Sequence, residues 1–485
     1  MNIHKMGNAI IIGGGIAGLL TARVLSDYYE DVLIVEKDEF PQKPEDRSGT
    51  PHAFHPHRFT VQGRLITNRL FPGYEDDLAA NGARGVMQKT VYNMNQYGVM
   101  EFLYPRNEYK FSRALLEWVF RKHVNQLPNV RFLPQHDVTR LETTADRAAV
   151  IGIRVRDRRD EGQEKSLSAD LVIDTGGRFS KLSAWLEELG YNVPEPDRLK
   201  VSIGYSTRRY RIPAGRVHLL DKWDTINIAG QPANGTYTGV FSIIENDVAE
   251  VVLYRPGGHY PPTRADEFEQ AVAQLPSPLI SEIVRELEPL TAPRGYRVPE
   301  LYRHRYARMN RWPSGLLALG DTLCIYDPIF GQGMTVAAIE AERLEIILKE
   351  QRHAPNFEKR VLQQLEEVID PAYWLNCAND MLWEGVEYAG AEPLKGIDFG
   401  KRYMELCLKH ATMMRDFRLY GMYWAVNTLT VSPREIYDPQ VVRDVLMASE
   451  EGMQWLEELL QSYGRPLEEI LEHELPSFAR AAETA

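Results

Sequence analysis

The stretch Ala9-Ile-Ile-Ile-Gly13-Gly-Gly15-Ile-Ala17-Gly18 decides the fold. An apolar run without alternation reads as a buried strand, and it enters glycines spaced G-x-G-x-x-G at Gly13, Gly15 and Gly18. Leu19, Leu20, Ala22, Val24 and Leu25 carry a helix out of the turn, and Val32–Val35 form a second apolar strand ending at Glu36. Gly13 permits a tight turn, Gly15 lets a pyrophosphate approach the backbone, and Gly18 lets helix and strand pack closely. Ala17, between Gly15 and Gly18, is a further cofactor-binding candidate. The helix start offers unpaired N–H groups to phosphate oxygens. Glu36 stands 23 residues beyond Gly13, where its carboxylate accepts from ribose hydroxyls, and Lys37 follows it. A lone glycine motif is weak evidence. In strand–turn–helix–strand order, with the acid in place, it specifies a dinucleotide site.

Outward from this unit, the chain's 485 residues exceed one compact core, so about two or three domains are expected. With 56 basic against 68 acidic residues the net charge is −12, which argues against a nucleic-acid surface. Cys324, Cys377 and Cys407 have no C-x-x-C pairing, so neither a disulfide framework nor a thiolate metal site follows. No secretory signal or run long enough to cross a bilayer stands out, and the expected location is the cytoplasm.

Two later segments look like further cofactor contacts. Asp170-Leu-Val-Ile-Asp174-Thr-Gly-Gly-Arg178-Phe-Ser180 is an apolar strand followed by a polar, glycine-rich turn. Leu316-Leu-Ala-Leu-Gly320-Asp321 is another, and Asp327-Pro328-Ile-Phe-Gly331-Gln332-Gly333-Met334 leads from it into a helical run from Val336 to Lys349. Loop glycines before a helix again make an anion-attracting N-terminus. Ser112 reads as the N-cap of an amphipathic helix over 114–123 with Arg113 just inside it, suited to a phosphate or ribose.

Together these dispersed motifs, over roughly residues 8 to 350, resemble the class A flavoprotein monooxygenases typified by para-hydroxybenzoate hydroxylase. The resemblance implies that the dinucleotide is FAD. It implies that Arg113 faces the diphosphate, that Asp321 holds a ribityl hydroxyl, and that the helix after Gly333 points at the pyrimidine edge. Pro328, Gly331, Gln332, Gly333 and Met334 then border the ring. It also gives adenine to the strand at Val130 and the loop at Asp137-Val138.

Arg47-Ser-Gly49-Thr-Pro51-His52-Ala-Phe-His55-Pro-His57 resembles the R-x-G-x-P-Q…H-x-H string of bacterial natural-product epoxidases within that group. Arg47 is therefore a cofactor candidate, and His55 and His57 are candidates for the flavin or substrate side, or structural histidines of the loop. His52 stands where glutamine is usual, which leaves the substrate and reaction subtype open. Three histidines without accompanying carboxylates or cysteines do not make a metal site. Flavin halogenases share the fold but carry W-x-W-x-x-P, and none of the eight tryptophans here stands in W-x-W.

In the middle of the chain, Val201, Ile203 and Tyr205 alternate with polar or small neighbours as in a half-buried strand. Further strands follow over 224–230, 236–244 and 249–254, with Val91–Leu103 as their partner in an antiparallel sheet. Tyr205 is a substrate candidate on that sheet. From about Pro355 the chain reads as helices, with Asp438-Pro439 and Pro466 as helix starts. Phe417, Tyr420, Tyr423 and Trp424 recur at helical spacing beside methionines. They are core, or, for Tyr423 and Trp424, a wall over an apolar substrate, with peripheral membrane contact as a third use.

The expected fold is α/β, a Rossmann-type FAD-binding domain with an antiparallel β-sheet substrate domain and a helical C-terminal region. The cofactor domain takes residues 1–85, 107–195 and 299–352, the substrate domain 86–106 and 196–298, and the helical region 353–485.

The expected activity is FAD-dependent monooxygenation, as epoxidation or hydroxylation. One oxygen of O2 passes through a flavin C4a-hydroperoxide to an apolar or aromatic small molecule of secondary metabolism. Electrons come from NADPH or NADH, directly or through a flavin reductase. No protein acid or base stands out for catalysis. An FAD-dependent reductase, dehydrogenase or cyclase that ignores O2 stays open, as do a halogenase and a flavin sensor.

Gly15→Val is expected to purify with well under half the wild-type flavin per chain, because a branched side chain blocks the backbone approach to pyrophosphate. A full flavin complement in that variant overturns the N-terminal assignment.

Overall fold

The computed structural model describes residues 5–160, 163–352 and 354–480. They divide into two compact units, each assembled from separated stretches of chain.

The first unit takes residues 5–81, Ser112–Arg198 and Leu301–Ile369. Its centre is built from β1 (Met6–Ile12), α1 (Ile16–Leu25), β2 (Tyr29–Val35), α2 (Arg113–Val124), β3 (Val130–Leu133), β4 (Leu171–Asp174), β5 (Leu316–Ala318) and α3 (Gln332–Gln351). The five strands form one parallel sheet in the order β5-β4-β1-β2-β3. Ala9–Ile12 and all of β4 and β5 are buried, which explains why they read as unbroken apolar runs. The register sets Ile12 beside Asp174, and Asp174 beside Ala318. The three polar turns that follow these strands therefore leave the sheet at one carboxyl-terminal edge, where open parallel sheets bind their ligands.

Two local expectations change in this unit. The helix predicted from Val336 begins at Gln332, because Gly331 adopts φ +63° and caps it. Asp137-Val138 lies within the strand His136–Thr143, not in a loop, and Val138 stands opposite Val155 in a three-stranded antiparallel sheet.

The second unit takes Gly82–Phe111, Leu199–Glu300 and residues 370–480. Its large sheet runs Glu288–Pro289, Ile203–Arg211, Val248–Arg255, Thr238–Ile243, Trp223–Ile228, Thr90–Asn95, Gly98–Leu103, with Arg294–Val298 also paired to Ile203–Arg211. The pairing is antiparallel except that Thr90–Asn95 runs parallel to Trp223–Ile228. Helices Ala265–Ala273 and Leu279–Val284 supply Phe268, Val272 and Ile280 to a core with Phe241 and Val251. The strand at 203 is not half-buried as its alternation suggested: Gly204, Ser206 and Thr207 are buried too. Tyr260 covers that face so closely that a Cβ on Gly204 would lie 2.3 Å from its ring.

Beyond residue 370 the unit is helical apart from the short strand Glu387–Ala389. Asp438 caps Pro439–Met447 by accepting from the Gln440 and Val441 N–H groups, and Pro466 precedes Leu467–Glu474, as the sequence implies. Phe399, Tyr403, Tyr437 and Trp455 form the aromatic centre of this helical core.

Ser112 caps α2 by accepting from the Leu115 N–H at 3.1 Å. Ser112→Ala is expected to destabilise the protein by about 1 kcal/mol. Denaturant unfolding checks this, and an unchanged midpoint shows that the cap contributes nothing.

Candidate cofactor site

The edge of the parallel sheet is lined first by the Gly13–Gly18 turn. Gly13 has φ +101°, and its N–H donates to Val35 O at 2.8 Å. A Cβ on Gly18 would lie 2.0 Å from Gly13 O, so only glycine allows α1 to pack on the turn. At Gly15, by contrast, the nearest atoms to such a Cβ are the guanidinium nitrogens of Arg47 and Arg113, each 3.9 Å away. An approachable glycine backbone facing two arginines at a helix start suits a diphosphate.

Those arginines are held by buried carboxylates. Arg47 donates to Glu117 and to Asp38, each at 2.7 Å, and lies 3.3 Å from Glu36. Arg113 donates to the other oxygen of Glu117 at 2.9 Å. Burial alone would raise the Glu117 pKa, but Arg113 and Arg47 outweigh it and hold the carboxyl below its ordinary value. Glu117 and Asp38 do not stand out in the sequence. The four-residue spacing from Arg113 to Glu117, one helical turn, was the available signal.

Glu36 is buried at the end of β2, with one oxygen accepting from Gly14 N–H at 2.8 Å and the other from Asp38 N–H at 3.0 Å. Lys37, beside it, is exposed, its ammonium 5.9 Å from the centre of the Phe179 ring.

Asp174, at the end of β4, is spent on the fold. It accepts from Gly176 N–H at 2.7 Å, Ser180 Oγ at 2.8 Å and Thr322 Oγ1 at 3.1 Å. Thr322 in turn accepts from Gly177 N–H at 3.0 Å, so Asp174 ties the second turn to the third. Burial pushes its pKa up, against the pull of these three donors.

Asp321, in that third turn, is half-buried, and no side-chain hydrogen bond engages its carboxylate among the described residues. Burial raises its pKa while Arg113 and Arg178 lower it. A Cβ on Gly333 would lie 4.0 Å from its Oδ1, which places Asp321 at the start of α3. Ala17 meets the same turn, 2.8 Å from where a Cβ on Gly320 would lie. Asp327 caps the Pro328–Phe330 turn, Gly331 reverses the chain, and Gln332, Gly333 and Met334 open α3.

Deeper in α3, Glu340 is fully buried and accepts from Gly320 N–H at 2.6 Å, while its other oxygen has no partner among the described residues. Burial pushes its pKa up to about 8, and nearby Asp321 adds to the rise.

His55 is buried and its carbonyl lies 2.7 Å from His57 Nδ1. His52, 5.9 Å from His57 between ring centres, has its pKa pushed well down by burial and by Arg113. His52 therefore adjoins the arginine cluster. Of the other candidates, Val138 is paired in its own sheet. Tyr205, Tyr423 and Trp424 belong to the second unit: Tyr205 is buried and tilted against Tyr254, and Tyr423 lies in the helical core with its hydroxyl 3.3 Å from Asn379 Oδ1. Trp424 packs beside it. Among the described residues no His, Cys, Asp and Glu cluster could hold a metal.

Gly15 with its arginine pair, Glu36 at one end and the unengaged Asp321 beside the α3 N-terminus at the other give one edge that fits FAD. This defines an FAD-dependent oxidoreductase with the fold of the class A flavin monooxygenases. The profile of the FAD-binding-domain family matches residues 7–353, and the chain belongs to that family.

Among curated proteins it is similar to protein Rv3254 of Mycobacterium tuberculosis, 28% identical, covering 80% of this chain and 82% of that one. It is also similar to violacein synthase of Chromobacterium violaceum, 25% identical over 79% of this chain and 89% of that one. Of solved structures, PqsL of P. aeruginosa with 2-aminobenzoylacetate shares the fold, with a TM-score of 0.57 and 16% identity over 78% of this chain and 97% of that chain. Flavin-dependent halogenases share it too.

Glu340 supplies a pH prediction. Its folded pKa is raised, so the stability of its neutral form is fully present below the ordinary carboxylate range and is lost as pH rises to about 8. Glu340→Gln, which keeps the Gly320 acceptor and cannot ionise, is expected to match the wild-type Tm at about pH 5 and exceed it at about pH 9. Parallel Tm profiles overturn the assignment.

Proposed function

We propose that this oxidoreductase is a monooxygenase that places one oxygen atom of O2 on an apolar or aromatic small molecule, by hydroxylation or epoxidation. The observation that carries the reading is the start of α3. Gly331, at φ +63°, opens a 20-residue helix whose first turn carries the small Gly333 beside Asp321. Bound FAD supplies two-electron redox chemistry and, once reduced, reactivity toward O2.

The chain's own residues bind and orient. Arg47 and Arg113 hold the diphosphate over Gly15, Glu36 takes the ribose, and Asp321 takes a ribityl hydroxyl. Val138 takes the adenine side, with Lys37 near Glu36. The positive end of α3 favours negative charge on the reduced ring, and Pro328, Gln332 and Met334 shape its surroundings. His55 and His57 are the substrate-side candidates of the first unit, and Tyr205, Tyr423 and Trp424 those of the second.

NADPH or NADH supplies the electrons, directly or through a flavin reductase, in the cytoplasm. The similarity to a violacein synthase supports a natural-product setting.

The test is turnover of the holoenzyme with NADPH or NADH, isotopically labelled O2 and a panel of apolar and aromatic substrates. One labelled oxygen per product is expected. Reduced enzyme that passes electrons to an organic acceptor without consuming O2 overturns the reading for a reductase or dehydrogenase. Product formed only with halide, and carrying it, overturns it for a halogenase.

A further inference from the structure

In the second unit, the helix Ile397–Met413 turns sharply into the helix Phe417–Asn427. The turn presents Met413, Met414 and Phe417 outward, 62%, 68% and 52% exposed. Scattered apolar side chains on a surface need no explanation, but three gathered at one tip do.

The tip is not a frayed end. Asn95 Nδ2 donates to Thr412 Oγ1 at 2.9 Å, tying it to the Thr90–Asn95 strand, and Asp416 N–H donates to Ala411 O at 2.9 Å. Phe417 also rests edge-on against Phe102, 6.3 Å between centres. The fold therefore holds these side chains in water.

Two basic side chains flank them in the chain. Arg415 and Arg418 are exposed and form no ion pair among the described residues. The intervening Asp416 spends its carboxylate on the helix start, accepting from the Arg418 and Leu419 N–H groups at 3.0 Å each. Two exposed arginines without an ion pair among the described residues are notable on a chain of net charge −12.

We propose that this tip docks on an anionic lipid surface, with Met413, Met414 and Phe417 entering the headgroup boundary and Arg415 and Arg418 meeting lipid phosphates. Two polarisable methionines and a phenylalanine between arginines match the chemistry of interfacial anchors. A stable protein partner needs roughly 800 Å² per side, more than three side chains on a turn offer. A turn with exposed apolar side chains can instead insert without a complementary partner surface. The acidic remainder of the chain limits the attraction to this tip and makes it salt-sensitive.

The test uses the full-length holoenzyme floated with vesicles of phosphatidylcholine alone or mixed with phosphatidylglycerol. Binding is expected to the mixed vesicles at low salt, to fall as salt rises, and to be absent with phosphatidylcholine alone. Arg415→Gln and Arg418→Gln should each weaken apparent vesicle affinity about fivefold. Met414→Ser with Phe417→Ser should weaken it about tenfold or more. All variants should retain wild-type FAD content, which separates lost docking from lost folding.

No flotation with anionic vesicles at low salt overturns the proposal, as does undiminished flotation of every variant. Self-association of the wild type that Phe417→Ser abolishes also overturns it, in favour of a protein interface.

Discussion

The structure of the first unit depends on the parallel register that sets the ends of β1, β4 and β5 side by side. Ile12, Asp174 and Ala318 are adjacent across the sheet, so segments more than 300 residues apart in the chain share one edge. Asp174 then locks the arrangement. Its buried carboxylate joins two of the turns through Thr322, and Thr175 Oγ1 donates to Ile12 O at 2.8 Å, joining the first. A buried carboxyl is costly unless its oxygens are hydrogen-bonded, and here Gly176, Ser180 and Thr322 supply the donors.

The same constraint orders the charges. Arg47 and Arg113 both lean on Glu117, which spares each guanidinium the cost of burial without a counter-charge and aims both past Gly15. Asp321 is the opposite case: its carboxylate sits at the same edge with no hydrogen-bonding side-chain partner among the described residues. Asp174 and Glu117 are thus saturated by partners within the fold, while the carboxylate of Asp321 is not.

Much of this was legible in the sequence. The buried strands appear as unbroken apolar runs at Ala9, Leu171 and Leu316, and each glycine of the first turn reports a local need of its own. Helix starts at Ser112, Asp438 and Pro466 were legible for the same reason, since capping is decided within one turn. Less legible was anything set by what packs above a strand. The alternation at Val201–Ser206 read as half-buried because nothing in those residues announces that Tyr260 covers the other face.

What the sequence by itself determined was the glycine turn after β1, the acid that ends β2 and the glycine-rich start of α3, because these rest on backbone geometry between near neighbours. Only the tertiary structure decided which carboxylates are structural and which are unengaged. Asp174 and Asp321 look alike as acids in strand-end turns, and Glu340 looks like one more polar residue on a helix. Their roles follow from distant donors brought within about 3 Å and from the water that packing excludes. A residue's neighbours in the chain do not specify either.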